Sequence, residues 1–162
     1  MSLLNDIEAV LHSKSLSEAN LELALKRVLD HFHCSVGTIH ILEEPSGLLV
    51  LRASKGVPDI VLDRVRTVPI GKGMAGLAAE RRQPVRVCNL QTDRSDAAKP
   101  MARETKVEGA IAVPMLVGER LSGVLGVAKP VTYEFEQAEI SLLLEIGSLI
   151  AKQLDPAVTN NP

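Results

Sequence analysis

The sequence predicts an α+β fold in which helices cover an antiparallel sheet. Two observations carry that prediction. Alternating, β-rich runs occur in pairs joined by short turns, so they are hairpins. Helical stripes open and close the chain instead of separating every strand from the next, which is not a doubly wound pattern.

Each element has its own justification. Leu3, Leu4, Ile7, Val10 and Leu11 form a helical stripe at the start. Ser15 followed by Glu18 is a capping box, and Leu21, Leu25, Val28, Leu29 and Phe32 continue it as a helix over about 16–32. The period then changes. Val36 to Leu42 alternates, Pro45 and Gly47 turn the chain, and Leu48 to Ser54 returns as the second strand of a hairpin. Gly56 and Pro58 end that strand, and Arg66 to Ile70 is a short third one. Met74 to Arg82 reads as a helix and Val85 to Cys88 as a strand. The stretch Asn89 to Glu104 is polar and dense in turn formers, with room for a short helix over Ala97 to Thr105. Ala110 to Val117 and Leu121 to Ala128 make a second hairpin about Gly118. Glu134 to Leu154 is a long helix whose apolar positions, Leu142 and Leu149 among them, exceed one stripe. The surplus predicts a second packing partner, either the first helix or another copy of the chain.

Length and composition bound the rest. The 162 residues fit one domain. We divide them into an N-terminal helix (1–15), a main domain (16–154) and a disordered tail (155–162). Aromatic residues make up only 2%, so the core rests on Leu, Val, Ile and Ala, and single-stranded nucleic acid finds few stacking platforms. A net charge of −2 leaves no basic footprint, so no nucleic-acid partner is expected. Two cysteines, Cys34 and Cys88, are too few for a disulfide framework and point to a reducing cytoplasm. Met1 to Val10 lacks the pattern of a signal peptide, and no apolar run is long enough for a membrane span.

Four segments together resemble the GAF domain, a small-ligand sensor module. They are SGLLVLRASKG (Ser46–Gly56), VPIGKGMAGLAAERRQPVRV (Val68–Val87), EGAIAVPMLVGERLSGVLGV (Glu108–Val127) and YEFEQAEISLLLEIGSLIAKQL (Tyr133–Leu154). The resemblance implies a six-stranded antiparallel sheet with the N- and C-terminal helices on one face, often as a dimer bundle. It places a pocket on the other face, roofed by residues 74–107.

Several residue groups are candidates for chemistry. Thr38 and His40 alternate with Ile39 and Ile41, so they face away from the helices and toward such a pocket, with Arg52 and Ser54 on the neighbouring strand. Cys88, Asn89, Asp93 and Lys106 border it. The loop Ile70 to Met74 reads as a glycine turn; as a phosphate cradle it lacks both the P-loop and the dinucleotide fingerprint. Cyclic-nucleotide-binding GAF domains carry Asn-Lys and then Phe, three residues, Asp-Glu. Here Lys129 and Phe135 match, but Ala128, Glu139 and Ile140 depart from that pattern. His31, His33 and Cys34 crowd a helix end, which reads as a C-cap, with haem or another metal group as the alternative. One GAF branch reduces free methionine sulfoxide with several pocket cysteines, and the middle segment here has none between Gln91 and Met101.

The expected function is a small-molecule sensor acting in trans on a signalling partner, as a homodimer, without catalysis and without a predicted cofactor. The alternatives are a structural dimerisation module with a collapsed pocket and a redox enzyme or sensor using Cys88.

Overall fold

The computed structural model describes residues 2–11, 18–89, 91 and 106–154. Ser15, the short helix expected over Ala97 to Thr105 and the tail from 155 onward lie outside the described residues.

The chain opens with helices α1 (Leu3–Leu11) and α2 (Glu18–Phe32). Strands β1 (Val36–Glu43) and β2 (Leu48–Lys55) form the first hairpin. Helix α3 (Asp59–Val65), strand β3 (Thr67–Pro69), helix α4 (Gly73–Arg81) and strand β4 (Val85–Val87) come next. Strands β5 (Gly109–Val117) and β6 (Arg120–Lys129) make the second hairpin, and α5 (Gln137–Leu154) closes the fold.

The six strands form one sheet in the order β3-β2-β1-β6-β5-β4, and every neighbouring pair is antiparallel. Alternation along the strands sorts residues onto two faces. Ile39, Ala53, Ile111, Val113, Met115, Leu125 and Val127 pack with α1, α2 and α5 in the larger core. Helix α5 comes close enough to β5 that a Cβ on Gly147 would lie 3.2 Å from Met115 Cγ. The other face carries Leu49, Ala112, Leu121 and Val124, packed against Ala78 and Ala79 of α4.

The end of α2 explains its histidines. His33 adopts a left-handed φ of 57°, and the Cys34 N–H donates to Leu29 O at 2.9 Å. This is a Schellman closure with histidine at the left-handed position.

Helix α3 departs from the sequence reading, which has no element between Pro58 and Arg66. It is one seven-residue helix rich in β-branched residues, too short for periodicity to reveal. Its start was nonetheless marked. The mark is Asp59 in the first turn, where an acidic residue is favoured; Pro58 sits at the N-cap and makes no side-chain cap bond. The Pro58 carbonyl accepts from the N–H groups of Val61 and Leu62.

Candidate functional site

The sheet face away from α1, α2 and α5 carries a cavity of about 330 Å³. Its floor is β1, β6 and β5, and its walls are Val57, Val61 and Val65 around α3, the strand β3, and the first turn of α4. The floor is hollow for a reason that lies in the sequence. Ala110, Ala112, Gly126 and Ala128 share this face, because Ala110 pairs with Ala128 and Ala112 with Gly126. Small residues here leave unfilled the space that Ile111, Val113 and Leu125 occupy on the opposite face. A Cβ on Gly126 would lie 3.0 Å from Thr38 Oγ1. This every-second small residue in GAIA and GVA was a sequence signal for the cavity, and polarity alone did not find it.

His40 lines the cavity and is 2% exposed. Its Nε2 lies 2.8 Å from Val65 O. A carbonyl only accepts, so Nε2 carries the proton and Nδ1 is a lone pair; Nδ1 is buried and has no hydrogen-bond partner among the described residues. Burial lowers the His40 pKa from 6.5, and the bond to Val65 opposes that shift without cancelling it. The imidazole is therefore neutral at pH 7.

The sign of that shift sets a pH dependence. The unfolded chain protonates this histidine near 6.5 and the folded chain only lower, so stability is full above 6.5 and falls as the pH drops below it. Between pH 6.5 and 5, wild type should lose stability more steeply than His40→Gln, by up to about 1.4 kcal/mol per pH unit. Urea unfolding at several pH values measures this; parallel profiles would refute it.

The other sequence candidates are placed unevenly. Thr38 lines the cavity beside His40. Ser54 pairs with Thr38 and so shares its face, but does not reach the cavity wall. Arg52 does not join them. The register shifts between Ile39 and His40, leaving Arg52 as the extra residue of a bulge, exposed to solvent. Cys88 is exposed and outside the cavity lining. Asn89 serves the loop: its Nδ2 donates to Thr132 Oγ1 at 3.0 Å and its Oδ1 accepts from the Gln91 N–H at 2.9 Å. Lys106 is exposed with a left-handed φ of 59°. Asp93 lies outside the described residues. Of the lining, the site candidates read from the sequence include only Thr38 and His40; besides the small residues of the floor, Val57, Val61, Arg64 and Val65 were missed because they belong to the unread helix α3 and its approach.

Lys129 and Phe135 also stand apart from the cavity. Lys129 Nζ sits 4.1 Å from the centroid of the Tyr133 ring, which meets Phe135 edge-on at 4.9 Å. The Tyr133 hydroxyl donates to Glu139 Oε1 at 2.6 Å, and the Glu136 N–H donates to the same oxygen at 2.9 Å. Glu139 thus caps α5 from its third position. Its bond to the hydroxyl is the main reason that the Tyr133 pKa is pushed up to about 12. These residues fasten β6 to α5.

The cysteines are separated by the sheet itself. Cys34 precedes β1 and Cys88 comes after β4, with β6 and β5 between. Three interstrand steps put them about 14 Å apart, twice the reach of a disulfide. Burial pushes the Cys34 thiol up to about 11. We expect a disulfide-exchange reagent at pH 8 to label Cys88 at once and Cys34 only on unfolding; two fast equivalents would refute this. Among the described residues, no group of three His, Cys, Asp or Glu is placed to hold a metal ion. No helix among them is long and apolar enough to cross a membrane.

A six-stranded antiparallel sheet with helices on one face and a cavity on the other is the architecture of a sensory or regulatory domain. The chain belongs to the GAF domain family, whose model matches residues 16–155. Its fold is similar to the GAF domain of an Acinetobacter phosphoenolpyruvate-protein phosphotransferase, at 24% identity and a TM-score of 0.80, covering 100% of this chain and 99% of that one. The GAF domain of the Coxiella burnetii phosphoenolpyruvate-protein phosphotransferase is similar at 21% identity and a TM-score of 0.74, covering 92% and 90%. So is the free methionine-R-sulfoxide reductase of Neisseria meningitidis in complex with its substrate, at 21% and 0.78, covering 98% and 89%. No curated protein sequence matches the chain.

Proposed function

We propose that this GAF domain is a cytoplasmic small-molecule sensor that passes ligand occupancy to a partner through its terminal helices. The observation that carries the reading is the cavity itself. Its volume of about 330 Å³ stands near the lower end of small-molecule sites, about 300–1,000 Å³, which favours a compact ligand over a dinucleotide. An open cavity also argues against the purely structural alternative with a collapsed pocket.

The route to the helices is short. Ala110 and Ala112 face the cavity while Ile111 and Met115, on the same strand, face α5. A ligand that resets β5 therefore acts on the packing of α5, and differential affinity for two such arrangements shifts their populations. The apolar flanks Leu142, Leu149 and Leu154 are only partly buried, which supports a homodimer through this layer.

The relatives include a reductase, so catalysis is the competing reading. Both cysteines lie outside the cavity and about three strands apart, which supports binding over thiol chemistry.

A thermal-shift panel of nucleotides, amino acids, organic anions and haem tests the sensor reading. A cavity ligand present at about 100 times its Kd should add about 2.7 kcal/mol of stability. Ala112→Phe, which fills the floor, should abolish that response. No stabilisation by any compound, or an undiminished response in Ala112→Phe, defeats the proposal. Reduction of free methionine sulfoxide by wild type but not by Cys88→Ser would establish the enzyme instead.

A further inference from the structure

Two of the polar side chains that line the cavity stand on its floor, Thr38 and His40. They are alternate residues of β1, so they share one face. The other polar lining residues, Arg64, Thr67 and Lys72, are exposed and keep their contact with water, so none of them calls for a ligand. Around the two floor residues the lining is aliphatic, with Val36, Val61, Val65, Ala110 and Ala128 among it.

His40 is the group left incomplete. A neutral imidazole has one N–H to give and one lone pair to fill. The N–H, on Nε2, goes to Val65 O at 2.8 Å. The lone pair, on Nδ1, is buried and has no hydrogen-bond partner among the described residues. A buried acceptor without a donor is costly, and each such group in a folded protein has a reason. Here the residue is 2% exposed and lines a cavity of about 330 Å³, so a donor carried by a ligand can complete it. Because Nδ1 is covered, the donor meets it as the ring turns slightly about its Cβ–Cγ bond, a broad torsion in histidine. Burial keeps the ring neutral at pH 7, which leaves the lone pair free to accept. Thr38 makes no such choice, because a hydroxyl donates or accepts as required. Selection between ligands therefore falls to His40.

We propose that the cavity takes a small neutral aliphatic molecule with one hydrogen-bond donor, an alcohol in the simplest case, which donates to His40 Nδ1 and lays its hydrocarbon body over Ala110, Ala112, Gly126 and Ala128. The inference rests on the sensor reading above and names its ligand class. A carboxylate has no proton to offer at pH 7 and would turn its own lone pairs on Nδ1. An ammonium has the proton, but it must shed its water in an apolar site where one imidazole is a poor substitute. An ether keeps the oxygen and the hydrocarbon of the alcohol and lacks only the donor.

The test titrates the full chain with 4-methylpentan-1-ol, its isomer 1-methoxy-3-methylbutane, 4-methylpentanoate and 4-methylpentylamine by calorimetry, and all four join the thermal-shift panel. The alcohol should bind about tenfold more tightly than the ether, although the ether is the more apolar of the two, and both ions should bind less well than the alcohol. Ala112→Phe should abolish alcohol binding, and His40→Leu should bind alcohol and ether alike. That second variant also loses the bond to Val65, so a measurement on the wild type stands beside it. In the nitrogen NMR spectrum the assigned His40 Nδ1 resonance should move upfield with the alcohol and stay in place with the ether. An ether or an ion that binds as tightly as the alcohol, a preference that survives in His40→Leu, or an Nδ1 resonance that the bound alcohol leaves unmoved would each overturn the inference. If a compound of another class from the wider panel binds in the cavity while the alcohol does not, the inference falls and the sensor reading stands. If nothing binds, both fall.

Discussion

Gly123→Ala should destabilise the protein by about 3 kcal/mol, while Gly126→Ala, in the same strand, should change stability by less than about 1 kcal/mol. The difference lies in what each new methyl group meets. At Gly123 a Cβ would lie 2.0 Å from the backbone oxygen of His40, in the neighbouring strand β1. Backbone held by strand pairing yields only if β1 and β6 move apart. At Gly126 the nearest atom is the Thr38 hydroxyl oxygen at 3.0 Å, which rotates out of the way. Alanine there also restricts the unfolded chain, a gain of about 0.4–1 kcal/mol that offsets the crowding. Urea unfolding of the two variants measures the contrast, and equal losses would show that strand β6 tolerates neither or both. Because Gly123 packs on the helix side and Gly126 on the cavity side, the pair also separates folding from ligand response.

The second large effect is at Phe135, whose substitution by alanine should cost about 3–5 kcal/mol. The ring is 1% exposed and packs edge-on against Tyr133. The Phe135 carbonyl also accepts a bond from Arg86 Nη1 at 2.8 Å, tying β4 to the approach of α5. Removing the ring empties the junction that carries Lys129 and Tyr133. Phe135→Leu should keep most of the stability and leave cavity binding unchanged, since Phe135 does not line the cavity. A variant that folds normally but loses ligand affinity would return Phe135 to the binding machinery, where the cyclic-nucleotide pattern would put it.

Much of the fold was legible because its long elements obey a period. The stripe of α5 and the alternation of β1 were readable without neighbours, and the direction of Thr38 and His40 came from the latter. The bulge at Arg52 was not readable, because an extra residue in a strand changes no composition and reverses the face of every later residue in that strand. Helix α3 was unread for want of length, and with it went one wall of the cavity. The hollow floor was partly legible: alternating Ala and Gly announces missing volume, but only the pairing of β5 with β6 shows that the vacancies coincide.

The strand order has a consequence for how the chain assembles. The two central strands, β1 and β6, come from opposite ends of the sequence, with Gly37 opposite Val127. During synthesis the β1–β2 hairpin can form early, but its inner edge must wait until nearly the whole domain has left the ribosome. That edge presents unpaired N–H and C=O groups for the whole interval, and closing so long a loop is slow. The seam that supports the cavity in the finished protein is thus the last join to be made, and the nascent half-sheet is the species most exposed to mispairing with another copy.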